Sequence, residues 1–175
     1  HLAAMCVWEG AADWYRDATH HGGIMSTFWA RWYPHQVTNV QYGLGENGPR
    51  NPHNGLLVAG DDTFTEAELA TNRSDLGAQI LAHPLDGDYY RERTPQWDRV
   101  VVPLLTAASL AGHGLHPRGN YEGWLEAASE EKYLEIHGLE HWTHFYTDYG
   151  RELQLRFFDR YLKGSGDWSR EQPRV

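Results

Sequence analysis

Eleven histidines stand among the 175 residues of this sequence, and five of them, His113, His116, His137, His141 and His144, fall in one stretch of it. Imidazole titrates close to neutrality and is the commonest metal ligand, so such a group is a candidate for moving protons or for holding a cation. The metal reading has letters to support it. His137-Gly-Leu-Glu140-His141 spells the inverted zinc-protease motif, and His113-x-x-His116 offers further ligands. That motif requires a helix, because only positions four apart on a helix bring both imidazoles to one face with the glutamate beside them. Here the β-prone Tyr133-Leu-Glu-Ile136 runs straight into the motif and Gly138 sits inside it, so the spacing predicts a strand followed by a loop.

A histidine on a loop that leaves a late strand of a parallel sheet lies at the carboxyl edge, where an α/β-hydrolase keeps its general base. His141 has that placement, although a histidine merely satisfied within its loop would have it too. A nucleophile is harder to find. No Gly-x-Ser-x-Gly occurs, and the nearest imitation, Ala107-Ala-Ser109-Leu-Ala111 after a buried apolar run, leaves too few elements behind it to supply an acid and a base. Gly43-Leu-Gly45-Glu-Asn-Gly48 spells a dinucleotide fingerprint, but Pro49 and Pro52 follow at once and forbid the helix that must receive the pyrophosphate.

Composition removes other classes. With 24 Asp and Glu against 15 Lys and Arg the net charge is −9, and no basic cluster offers itself to a nucleic acid or an anionic membrane. Aromatic residues make up 13%, with eight Trp and ten Tyr, which implies a packed core. The longest apolar run, Leu2 to Trp8, is far short of the roughly 20 residues that span a bilayer. A single cysteine, Cys6, reads as a buried small hydrophobe, and the expected location is cytoplasmic.

The elements that must position these residues follow from periodicity. Leu2 to Trp8 reads as a strand buried on both faces and stopped by Glu9-Gly10. A ring-rich stretch runs to about residue 37, and residues 43 to 62 form a Gly/Asn/Pro-rich excursion. Thr65-x-x-Glu68 has capping-box spacing, with Leu69, Leu76 and Ile80 on one stripe of a helix that Pro84 stops. Val100 to Leu105 reads as a strand, in which Pro103 demands an edge, a strand start or a bulge. A helix over Asn120 to Glu131, a strand over Lys132 to Ile136 and a helix over 146 to 163 capped by Gly164 complete an α/β pattern with a parallel sheet.

Several motifs, in order along nearly the whole chain, resemble the cocaine-esterase/NonD family of serine hydrolases, the Xaa-Pro dipeptidyl-peptidase-like group of peptidase family S15. They are Trp8-Glu-Gly-Ala-Ala-Asp13-Trp-Tyr-Arg-Asp17, His21-Gly-Gly-Ile24, His83-Pro-Leu-Asp-Gly-Asp88-Tyr-Tyr-Arg-Glu-Arg93, Gly114-Leu-His-Pro-Arg-Gly-Asn120, His137-Gly-Leu-Glu-His141 and Phe157-Phe-Asp-Arg-Tyr-Leu-Lys-Gly164. The resemblance implies an α/β-hydrolase core with a helical cap inserted before the late strands. Residues 1–10 are then a core strand, 11–95 the cap, 96–164 the C-terminal part of the core, and 165–175 a link toward a β domain that this chain does not include.

It also implies that His141 is the catalytic base and that the nucleophilic serine precedes His1 and must be supplied by the missing N-terminal half; no metal or organic cofactor is implied. The family's usual acid falls at about Gly112, so another carboxylate is needed. Glu9 is the expected substitute, because it ends a strand that delivers to the same edge and preserves the order serine, acid, histidine. Trp8, Trp14, Trp29 and Trp32 are the expected apolar contacts for a small ester, amide or peptide substrate. The alternatives are a zinc-dependent hydrolase or metal-binding module built on His113, His116, His137 and His141, and a non-catalytic remnant whose cap is a binding surface.

Overall fold

The computed structural model describes residues 2–38, 44–60, 64–112 and 114–172. In chain order the strands are β1 (Met5–Trp8), β2 (His20–His21), β3 (Ile24–Met25), β4 (Leu104–Ser109) and β5 (Lys132–His137). The α-helices are α1 (Phe28–Tyr33), α2 (Glu66–Asn72), α3 (Leu76–Ala82), α4 (Asp88–Arg91), α5 (Pro117–Glu126), α6 (His141–Phe145), α7 (Asp148–Lys163) and α8 (Trp168–Glu171). The chain divides into two compact units, residues 1–22 with 88–175, and residues 23–87. Among the described residues no helix is long and apolar enough to cross a membrane.

The first unit is α/β. Its sheet has the order β1-β4-β5 with every pair parallel, and the register sets Trp8 against Ala107, Ala107 against Glu135, and Ser109 against His137. Side chains alternate along a strand, so Leu105 and Thr106 point to opposite faces of the sheet. On the Leu105 side Leu153 and Phe157 of α7 pack with Ala4 and Trp168, and Cys6, Trp8 and Tyr133 adjoin them. On the other side the Nδ2 of Asn120 in α5 donates to Thr106 Oγ1 at 2.6 Å. Helices thus cover both faces, which is why β4 is buried at all six positions. Burial among these groups pushes the Cys6 thiol up to about 11.

Sequence and structure differ in instructive places. The strand expected over 100–105 lies at 104–109, since Pro103 lacks the N–H that a central strand must donate and pairing begins immediately after it. Helix α5 starts at Pro117, whose fixed backbone angle suits a first helical position, and ends at Glu126 rather than Glu131. Helix α7 ends where expected, Gly164 closing it at φ 68°, and starts two residues later than expected, at Asp148, where the Thr147 side chain accepts from Gly150 N–H.

In the second unit the Thr65/Glu68 capping box forms. The single helix expected up to Pro84 is two, because Arg73 turns extended and Asp75 begins α3 by accepting from Ala78 N–H. The glycine-rich fingerprint opens no phosphate-binding helix: Gly45–Asn47 is one turn, Gly48 is extended, and Gly43 lies outside the described residues. This unit, residues 23–87, falls inside the 11–95 span expected for a cap.

Gly119 is where α5 meets the turn after β1. A Cβ there would stand 2.4 Å from the Gly10 carbonyl oxygen and 2.6 Å from Ala11 Cα. Alanine in a helix interior gains up to about 1 kcal/mol over glycine. Forcing backbone apart costs about 1–3 kcal/mol, so the clash wins. Gly119→Ala is therefore expected to lower the midpoint of chemical denaturation, and an unchanged or raised midpoint would show that this contact is loose.

Candidate active site

Two adjacent residues at the carboxyl end of β1 organise the edge of the sheet. Trp8 is the last strand residue, and Glu9 N–H still donates to the Ala107 carbonyl at 3.1 Å. Glu9 then adopts φ 65°, a left-handed conformation that costs a non-glycine residue roughly 1–2 kcal/mol. The bend is held from outside the strand. Gly10 N–H donates to Asn120 Oδ1 at 3.0 Å, and the buried Asp17 carboxylate accepts from Ala12 N–H and Asp13 N–H at 2.8 Å each and pairs with Arg118. Backbone strain maintained by this many contacts marks a place where a side chain is being aimed.

What is aimed is the Glu9 carboxylate, whose side chain is 4% exposed. Its Oε2 lies 3.6 Å from where a Cβ on Gly112 would stand, so it fills the space beside the position at which the sequence resemblance expects an acid. Burial pushes the Glu9 carboxyl above its ordinary range, outweighing the charge of His137 and the nearby Ser109 N–H, which pull it down.

The imidazole that Glu9 meets is His137, with Oε1 3.3 Å from Nε2. This corrects the expected hydrogen bond from Glu9 to His141, and the register explains the correction. Because Ser109 pairs with His137, β5 ends level with β4, and its last residue is the one that faces Glu9 across the small residues of the central strand. His141 comes four positions later, as the first residue of α6.

His137 is a buried junction. Its Nδ1 lies 2.7 Å from Glu135 Oε2, and its ring stacks on Trp8 and on His144, with centroids 5.5 and 4.7 Å apart. The other oxygen of Glu135 is 3.5 Å from His144 Nε2. Carboxylate and imidazole therefore alternate through Glu9, His137, Glu135 and His144. Two members of this chain, His137 and His144, belong to the histidine stretch of the sequence. Glu135 was missed there, although Glu135-x-His137 on a strand places both side chains on one face.

His141 sits apart from these carboxylates. Its ring meets His116 at 5.6 Å and Trp142 at 4.2 Å, both edge to face. Burial, and then the charge of His141, hold His116 below the ordinary histidine range. The segment that carries His141 is secured at three points: Glu9 contacts His137 at its root, Ser109 Oγ donates to the Leu139 carbonyl in its middle, and Trp8 Nε1 donates to the His141 carbonyl at 3.2 Å. Glu140 is exposed and accepts from Thr143 Oγ1.

The remaining expected residues are placed as follows. Trp8 is committed to His137, Phe145 and the His141 carbonyl. Trp14 begins the helical turn Trp14–Thr19, whereas Trp29 and Trp32 pack edge to face in α1 of the second unit with centroids 5.2 Å apart. Of the four histidines of the metal alternative, His113 lies outside the described residues, His116 and His141 pair with each other, and His137 groups with Glu135 and His144.

Two crystal structures of a CocE/NonD family hydrolase from Staphylococcus aureus share this fold, each with a TM-score of 0.76, at 34% and 33% sequence identity. Each alignment covers 100% of this chain and 27% of the other, so the chain spans about a quarter of the length of these relatives. No family model matches the chain, and no curated protein matches it. The family of the two structures is the one that the sequence motifs resemble, and sequence and fold agree on the CocE/NonD hydrolases.

Proposed function

We propose that this chain, which matches the CocE/NonD hydrolases in motifs and fold, contributes the general base of a serine hydrolase that cleaves ester or amide bonds, Xaa-Pro dipeptidyl bonds among them, through an acyl-enzyme. The observation that carries the reading is the three-point anchorage of the 137–141 segment, which sets His141 at the carboxyl edge of the sheet. His141 is preferred to His137 on chemical grounds. A base must offer a nitrogen lone pair, and both nitrogens of His137 already face carboxylates.

In the proposed cycle a serine outside residues 1–175 gives its proton to His141 as its oxygen attacks the substrate carbonyl. The tetrahedral intermediate collapses as His141 returns that proton to the leaving oxygen or nitrogen, leaving the acyl group on the serine. Water, deprotonated by the same imidazole, then attacks the acyl ester, releases the acid and restores the serine. Glu9 is a positioning residue in this scheme. It fixes His137, from which the base-bearing segment departs. Trp8 supports that segment rather than the substrate, and Trp14 remains a proposed apolar contact for the acyl or leaving group. The proposed location is cytoplasmic.

An acyl-enzyme has a signature that does not depend on the natural substrate. Esters sharing one acyl group but differing in leaving group pass through one intermediate, so the complete protein should partition them between water and added hydroxylamine in a constant ratio. A ratio that varies with the leaving group would mean direct attack by water and would remove the serine mechanism.

A further inference from the structure

We propose that Glu135, His137 and His144 form a binding site for a divalent cation of the zinc type, with Glu9 as the outer carboxylate that orients His137. The inference goes beyond the hydrolase reading and does not rest on it. One ligand atom from each of the three residues lies within 4.8 Å of the others. Two imidazoles and one carboxylate are a donor set that suits zinc, cobalt or nickel, while magnesium and calcium prefer oxygen alone.

The local structure delivers the ligands by simple periodicity. Glu135 and His137 are two apart on β5 and so share a face. His144, on α6, lies with its ring stacked on His137. The second observation comes from the far side of the His137 ring. If Nδ1 takes the metal, Nε2 carries the proton, and 3.3 Å from it stands a buried carboxylate oxygen of Glu9. Ligating histidines characteristically donate their other N–H to a carboxylate in this way, which fixes the tautomer and strengthens the ligand.

Glu9 Oε1 and His137 Nε2 are buried without a well-formed hydrogen bond, and a metal on Nδ1 would fix the proton on Nε2, making it a donor that faces that oxygen. Two carboxylates and two imidazoles gathered in one desolvated place carry a negative charge unless protons neutralise it, and a dication does so directly. Binding would displace any proton held between Glu135 and the two imidazoles. The three protein ligands leave a position open for water.

The test uses zinc and cobalt as probes on the complete, metal-stripped protein. Competition with a chromophoric chelator should show one equivalent of zinc per chain and no uptake of magnesium. Cobalt should give the intense visible bands of a four- or five-coordinate site rather than the faint colour of the hydrated ion. His144→Ala should abolish both signals, and Glu9→Gln should weaken zinc binding by about 10- to 100-fold. His116→Ala should leave binding unchanged. Circular dichroism checks that each variant is folded, and Glu135→Gln replaces His144→Ala if that variant is not. Absence of saturable zinc binding, binding indifferent to His144 and Glu135, or loss of binding in His116→Ala would each overturn the assignment. None of these readouts is catalytic, so the site and the serine mechanism can fail separately.

Discussion

Replacing His141 by alanine should lower kcat on an ester substrate by about 10⁴-fold or more while leaving the denaturation midpoint nearly unchanged. The size follows from what a general base does. In the proposed cycle the imidazole takes the nucleophile's proton in both halves, and its contribution would arise in the transition state rather than in substrate binding, so KM should move little. The small effect on folding follows from the contacts of the residue. The segment is held through backbone carbonyls of Leu139 and His141, which alanine retains, and through His137. What alanine removes are the ring contacts with His116 and Trp142. Steady-state kinetics and urea titration of the same preparation check both halves. A variant that keeps more than about a tenth of the activity would reduce His141 to a structural loop residue.

Glu9→Gln should separate activity from stability. Misplacing a catalytic group by about 1 Å costs on the order of 10²-fold, and the amide, which alters the contact that positions His137, should lower kcat by about that much. The fold should gain. Burial raises the carboxyl above its ordinary value of 4.5, so folded protein binds this proton more readily than unfolded protein does. Below pH 4.5 both states are protonated and Glu9 costs nothing. As the pH rises toward and through the folded value, an ionised carboxylate must be kept in a desolvated place, and stability is lost. Glutamine carries no such charge, so variant and wild type should be equally stable at acid pH and the variant more stable at neutral pH. Denaturation midpoints at pH 4 and pH 8 measure the difference. A variant less stable than wild type at pH 8 would mean that the contact with His137 outweighs the burial of charge.

Strands β1 and β5 and helix α7 were legible because their signals are local. Leu2 to Trp8 is apolar throughout, Tyr133-Leu-Glu-Ile136 is β-prone, and Gly164 follows a stripe of apolar and aromatic residues four apart, Tyr149, Leu153, Phe157 and Tyr161. The break between α2 and α3 was not legible, because Leu69, Leu76 and Ile80 fit one stripe whether or not Arg73 turns extended. Glu9 drew attention as a charge at the end of a buried strand, and it does occupy the space beside Gly112. Its partner could not be read from spacing. Which histidine meets Glu9 depends on the register of β5 against β4, a property of the assembled sheet that shifts by about 3.3 Å for each residue of slip. The bracing role of Asn120 was not legible for a similar reason. Nothing near it in sequence shows that its amide will brace Gly10 and Thr106.

The nucleophile decides the account. Ser109, the nearest imitation of an elbow serine, is 0% exposed, and its hydroxyl donates to the Leu139 carbonyl. Labelling the complete protein with a fluorophosphonate, digesting it and locating the adduct by mass spectrometry tests the mechanism most directly. One phosphonyl group on a serine outside residues 1–175, with labelling slowed by orders of magnitude in His141→Ala, is the predicted result. Stoichiometric labelling of Ser109, or hydrolytic turnover by a protein that no fluorophosphonate labels, would contradict it.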